Sequence, residues 1–267
     1  MSTVRTGPQI GLFVQIVLLA GVAATVGLGV AGWLTGTAYG VVTCLALLRG
    51  LRRAGTPRLG PADWVTMGRG MLVGAVTALI ADALSSGRTA PVALLVAMTG
   101  VALALDAVDG KVARRTGTTS ALGARFDMEV DSFLVLMLSL YVAPSVGPWV
   151  LAIGLMRYVF LAAGWVLPWM VAQLPPRYWR KVVAAVQGIM LAVAAAQVLP
   201  GMVTTALLVT ALGLLVESFG RDVRWLWRHR TTSTAPALAM PTVPIDVRRV
   251  DRSDEHDQST APALSLR

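Results

Sequence analysis

Between residues 10 and 216 the sequence alternates long apolar runs with short connections, and arginine is the main charge in those connections. A chain held in lipid must satisfy every backbone N–H and C=O within itself, which favours helices that each close their own hydrogen bonds. The runs cover residues 10–34, 38–48, 61–84, 92–108, 123–142, 149–171, 182–198 and 202–216. They predict eight spans and an all-α polytopic membrane bundle, with the run 38–48 near the lower limit of length. Composition agrees. Of 267 residues, 55% are hydrophobic and 14% charged, and the mean hydropathy is +0.68, too apolar for an ordinary soluble domain.

The net charge of +9 raises nucleic acid as a partner. No basic stripe with interleaved aromatics supports it, so no nucleic acid is expected. The basic residues sit where anchors facing anionic lipid belong. With Arg5 inside, the clusters at 49–58, 111–125, 177–181 and 221–230 fall on one side of eight spans, and the opposite loops carry little beyond Arg88. The positive-inside rule then makes both termini cytoplasmic, in a cell-membrane protein. The lone Cys44 forms no intramolecular disulfide. Residues 1–55 read as an N-terminal extension with two spans, 56–228 as a membrane domain, and 229–267 as a disordered cytoplasmic tail.

The chemistry concentrates between Asp106 and Asp131. Asp106 and Asp109 stand at i, i+3 at the end of one apolar run, and Asp127 and Asp131 at i, i+4 at the start of the next. Each pair shares a helix face. Four carboxylates cannot converge unless something positive sits between them. A hard divalent cation is the economical answer, Mg²⁺ or Mn²⁺ ahead of Zn²⁺, because neither His nor Cys is near. Gly110, Ala113 and Gly123 leave room for a ligand or for close helix packing, and Arg114 offers a fork suited to phosphate oxygens. Together they suggest chemistry on a phosphate ester or diphosphate.

The spacing D-x2-D-G-x2-A-R-x8-G-x3-D-x3-D, on Asp106, Asp109, Gly110, Ala113, Arg114, Gly123, Asp127 and Asp131, resembles the signature of the class I CDP-alcohol phosphatidyltransferases. The resemblance is specific over residues 63–131 and looser to about residue 224. It implies a six-helix core, here with two extra N-terminal spans, commonly as a homodimer around a polar cavity open to the cytoplasm. It implies transfer of a phosphatidyl group from a CDP-alcohol lipid, usually CDP-diacylglycerol, to an acceptor alcohol with release of CMP. By the same resemblance, Asp106, Asp109 and Asp127 match the ligands of a two-metal site. Asp131 matches the general base and also touches the second metal in some members. Asp63, Trp64, Val65, Thr66, Gly110, Arg114 and Ser120 match contacts to the CDP moiety. On residue chemistry alone, Asp63 to Arg69 reads equally as a helix cap with a snorkelling arginine; beside the signature, a ligand role is expected.

The acceptor is expected to be small and phosphorylated, an inositol phosphate or glycerol-3-phosphate. Lys181 and Gln187 keep the spacing of a stretch seen in phosphatidylglycerophosphate synthases, while Val183 and Ala184 depart from it. Arg157, Arg177, Arg180 and Lys181 are the candidates to clasp an acceptor phosphate, and the last three read equally as membrane-interface anchors. Arg157 lies in mid-run, where an arginine must turn into a polar cavity. A transporter with an intramembrane carboxylate cation site is the alternative from another class.

Overall fold

The computed structural model describes residues 6–54, 61–116, 121–172, 174–175 and 177–230. Among them the chain forms eight α-helices: α1 (Thr6–Val26), α2 (Val30–Ala54), α3 (Pro61–Ser86), α4 (Val92–Thr116), α5 (Ala121–Val146), α6 (Leu151–Val166), α7 (Tyr178–Ala195) and α8 (Gly201–Arg228). Short 3-10 turns lie at Pro148–Val150 and Pro168–Val171. Six helices are long and apolar enough to cross a membrane. The apolar part of α4 is shorter, Val92–Val108, and α7 begins with charged residues. An all-α membrane bundle is the architecture expected from the sequence. The tail beyond residue 230 and the connection at 117–120 lie outside the described residues.

The first hairpin corrects the sequence reading. The apolar run 10–34 is not one span, because α1 ends at Val26 and α2 begins at Val30. Gly27 takes φ +72, a left-handed stop suited to glycine, and donates its N–H to the Ala23 carbonyl at 2.9 Å. Gly29 then gives its N–H to Asp82 Oδ1 at 2.9 Å, so a carboxylate from α3 caps the start of α2. That acceptor is 53 residues away along the chain and cannot be found from local pattern.

Four other boundaries also move. Helix α2 runs on past residue 48 because Leu47 and Leu51, one turn apart, are both buried; Leu47 packs with Met67 and Met71 of α3. Helix α4 continues through the signature to Thr116. Helix α8 continues to Arg228 because its buried stripe repeats every three or four residues: Leu208, Ala211, Leu215, Ser218, Asp222, Leu226. The run 149–171 breaks at Leu167, where Pro168 opens a 3-10 turn.

Helix α3 is the axis of the bundle. Its span is 72% buried, against 17–28% for the other five long spans. Lipid provides no hydrophobic drive between helices, so close packing has to hold them. Small residues supply it. A methyl group on Gly32 would stand 2.9 Å from the Ala78 carbonyl, and one on Gly36 would meet Leu19 at 2.8 Å. One on Gly154 of α6 would stand 2.6 Å from the Leu136 backbone of α5. The large exposed side chains, such as Val159, Trp165 and Val209, face outward as lipid contacts should.

Candidate active site

Three helices converge on one cluster. Helix α4 brings Asp106, α5 brings Asp127 and Asp131, and α3 brings Arg69. One oxygen from each of the three carboxylates lies within 4.8 Å of the others. The guanidinium of Arg69 sits among them. Its Nη1 donates to Asp106 and its Nη2 to Asp127. Nη2 also stands 3.3 Å from Asp131 and donates to the Asp127 backbone carbonyl at 3.2 Å. Arg69 is 1% exposed and the aspartates are half-buried. The arginine thus closes the floor of the cluster and the carboxylates face the open side.

This arrangement refines the sequence reading. Convergent carboxylates need a positive partner, and the chain supplies one of its own. Arg69 does not snorkel to the membrane surface. When all three aspartates are ionised, three negative charges and one positive leave a balance of two negative. That balance and an all-oxygen donor set suit a divalent Mg²⁺ or Mn²⁺. The residues therefore fit the metal the resemblance implies.

The signature residues divide by what can be described. Asp106, Asp127 and Asp131 are brought together. Asp109, Gly110 and Arg114 lie on α4 and Asp63 on α3, with side chains outside the described residues, as is Ser120 altogether. Thr66 is buried one turn before Arg69, and Trp64 is 42% exposed. Neither they nor Val65 are among the described residues lining the cavity beside the aspartates.

That cavity has a volume of about 1010 Å³ and is lined by Asp106, Asp127 and Asp131 together with Arg157, Arg177, Arg180 and Lys181. The four basic residues expected at the acceptor thus share one space with the carboxylates. Two of them are already held. Arg157 Nη2 stands 2.5 Å from Glu129 Oε1. Arg180 Nε stands 3.8 Å from Asp222 Oδ2 and its Nη2 donates to the Pro175 carbonyl. Gln187 lines the same cavity and donates Nε2 to the Ala211 carbonyl of α8 at 2.9 Å.

Sequence reasoning missed two members, Glu129 and Asp222, and gave Arg69 a different role. Arg69 was legible only as a ligand residue or an anchor. Glu129 occupies an unspecified position of the signature, although a mid-span arginine such as Arg157 calls for an acid. Asp222 lies in a basic segment taken as a flank. Its signal is the buried stripe of α8, which reaches it at helical spacing.

Interfacial aromatics gather near the end of α8. Trp227 meets Trp169 edge-on at 5.4 Å, and Arg230 lies 3.6 Å over the Trp227 ring.

Neither a curated relative nor a solved structure matches the chain. The family described as CDP-alcohol phosphatidyltransferase matches residues 60–216, more than half of it. The match, which spans the carboxylates, favours phosphatidyl transfer over the cation-transport reading. With spacing, helical bundle and carboxylate cluster in agreement, the chain belongs to the CDP-alcohol phosphatidyltransferases, membrane enzymes that pass a substituted phosphate from a CDP-alcohol to an alcohol acceptor in phospholipid synthesis.

Proposed function

We propose that the chain moves a phosphatidyl group from CDP-diacylglycerol to the hydroxyl of a small phosphorylated alcohol, an inositol phosphate or glycerol-3-phosphate, and releases CMP. One observation carries this reading: a single cavity is lined both by the carboxylate cluster and by Arg157, Arg177, Arg180 and Lys181. Carboxylates that hold metal suit a diphosphate, and a group of cations suits a second, separate phosphate.

Asp106, Asp109, Asp127 and Asp131 would hold the divalent ions, Mg²⁺ or Mn²⁺. A bound divalent ion supplies neutralisation of the diphosphate and of the leaving CMP. Asp63, Trp64, Val65, Thr66, Gly110, Arg114 and Ser120 contact the CDP moiety. Asp131 takes the acceptor hydroxyl proton as that oxygen attacks the β-phosphorus. The bond from that phosphorus to the CMP oxygen breaks and CMP leaves with the electron pair. Arg157 and Arg180 are pre-oriented by Glu129 and Asp222, which lowers the cost of ordering them around an anion. The enzyme works as a homodimer in the cell membrane, with its site and both termini cytoplasmic, where CDP-activated precursors and phosphorylated alcohols are found.

The test is an acceptor screen with labelled CDP-diacylglycerol and purified full chain, in Mg²⁺ or Mn²⁺ and in excess chelator. A phosphatidyl product of one phosphorylated polyol, identified by mass and lost in chelator, supports the reading. CMP release only with unphosphorylated alcohols would sink the acceptor assignment, and full turnover in chelator would sink the metal.

A further inference from the structure

The matched family region begins at residue 60, so α1 and α2 lie outside it. We propose that this N-terminal pair is a working part of the active site: Tyr39 of α2 is a positioning residue that sets the spacing between Arg69 on α3 and Asp131 on α5. The proposal rests on the function given above for its activity readout, and a metal-binding readout stands apart from it.

Tyr39 touches both helices that carry the cluster. Its ring stacks on Phe133 with centroids 5.0 Å apart, and Phe133 follows Asp131 by two residues on α5. On the other side it lies against α3. A methyl group on Gly74 would stand 2.7 Å from Tyr39 Cδ1, and one on Gly70, the residue after Arg69, would stand 3.9 Å from the Tyr39 hydroxyl. Tyr39 is close enough to interact electrostatically with Arg69. A side chain wedged between two helices fixes their separation, because packed interiors shift in discrete steps rather than stretch. One contact across that separation is Arg69 to Asp131, at 3.3 Å.

The seam is polar as well as tight. Gln15 of α1 is 1% exposed, and its amide lies 2.6 Å from where a methyl on Gly74 would be. Among the described residues neither amide atom has a hydrogen-bond partner. With Tyr39, Thr43 and Gly70 it lines a cavity of about 20 Å³, room for one water. A buried amide is a costly way to fill a helix contact and specifies one register where apolar packing tolerates several. A pair that only added two spans has no use for such a seam beside Arg69.

The experiment uses the full chain in detergent with Tyr39→Phe, Tyr39→Leu, Tyr39→Ala and, as control, Leu19→Ala. Leu19 of α1 is fully buried against Gly36 of α2. Readouts are kcat and KM for CDP-diacylglycerol, and Mn²⁺ affinity by electron paramagnetic resonance without substrate. Tyr39→Phe keeps the wedge and stays within about threefold of wild type in each. Tyr39→Leu and Tyr39→Ala lose about tenfold or more in kcat with KM within about threefold, and weaken Mn²⁺ binding about fivefold. Leu19→Ala destabilises the protein but leaves kcat and Mn²⁺ affinity within about threefold. Equal loss in Leu19→Ala and Tyr39→Ala, or no change in Mn²⁺ affinity in the two Tyr39 truncations, overturns the positioning role. If Tyr39→Ala fails to fold, Tyr39→Leu decides. If wild type releases no CMP, the functional reading fails while the Mn²⁺ comparison still judges Tyr39.

Discussion

Replacing Arg69 with methionine keeps much of the side-chain volume and removes the positive charge that contacts all three aspartates. Two like charges 4.8 Å apart repel by about 3.5 kcal/mol at an effective dielectric of about 20. Three pairs at that outer separation give about 10 kcal/mol before screening, but the aspartates are 34–40% exposed and solvent screens them. Removing one partner of a buried ion pair costs about 3–5 kcal/mol, and the partial exposure argues for the lower end. A loss of about 3 kcal/mol lowers the unfolding midpoint by roughly 6–12 °C in a chain of this size. The assay is thermal unfolding of purified protein in detergent, with chelator and with Mn²⁺. Arg69→Met should melt lower in chelator and recover at least half of the difference in Mn²⁺, because the ion replaces the lost positive charge. Wild type, which carries its own cation, should gain less from Mn²⁺. Arg69→Lys should fall between the two, since an ammonium keeps the charge but not the fork that spans Asp106 and Asp127. If Arg69→Met is as stable as wild type in chelator, the guanidinium is not what holds the aspartates together.

Among the aspartates, Asp131→Asn should lose turnover by roughly a hundredfold or more, the scale of general-base removal, and still bind a CDP-alcohol with metal; near-wild-type turnover places the base elsewhere. Asp106→Asn or Asp109→Asn should lose metal-dependent CDP-alcohol binding along with activity, read by titration of that binding. At the opposite end of the bundle, Gly29→Ala drives a methyl to 2.4 Å from Asp82 Oδ1 and should cost about 1–2 kcal/mol by disrupting the α2 cap. Asp82→Ala should cost a similar amount, and the double variant little more than either alone; additive losses in unfolding experiments would mean the two do not share one interaction. For topology, a cysteine at Ser86 should label from outside intact cells and a reporter fused after Arg230 should be cytoplasmic; labelling of the tail from outside would reverse the orientation.

Much of the fold follows from one-dimensional pattern. A long apolar run has one way to satisfy its backbone in lipid, so helix number and class are set by hydropathy alone. The carboxylate spacing is likewise local. Asp127 and Asp131 at i, i+4 share a face in any helix, so their partnership needs no tertiary knowledge. Boundaries depending on distant partners were not legible. The break at Gly27 to Gly29 sits inside a continuous apolar run, and what stabilises it there is a carboxylate on α3. The ends of α2 and α8 outrun their apolar cores because tertiary burial of one face extends a helix beyond what mean hydropathy marks.

The site divides the same way. That Asp106, Asp127 and Asp131 belong together was readable from spacing, because each pair lies on one helix and only two helices had to meet. That Arg69 sits among them was not, since an arginine in an apolar helix reads equally as an anchor, and only the packing of α3 into the centre of the bundle denies it water. The joining of Arg157 to Glu129, of Arg180 to Asp222, and of both pairs to the carboxylate cavity draws on five helices, α4 to α8. Helix spacing is set by which small residues meet, as at Gly154 and Gly74, and close contact between helices is a property of pairs of surfaces. A single sequence states each surface and leaves their pairing to the folded chain.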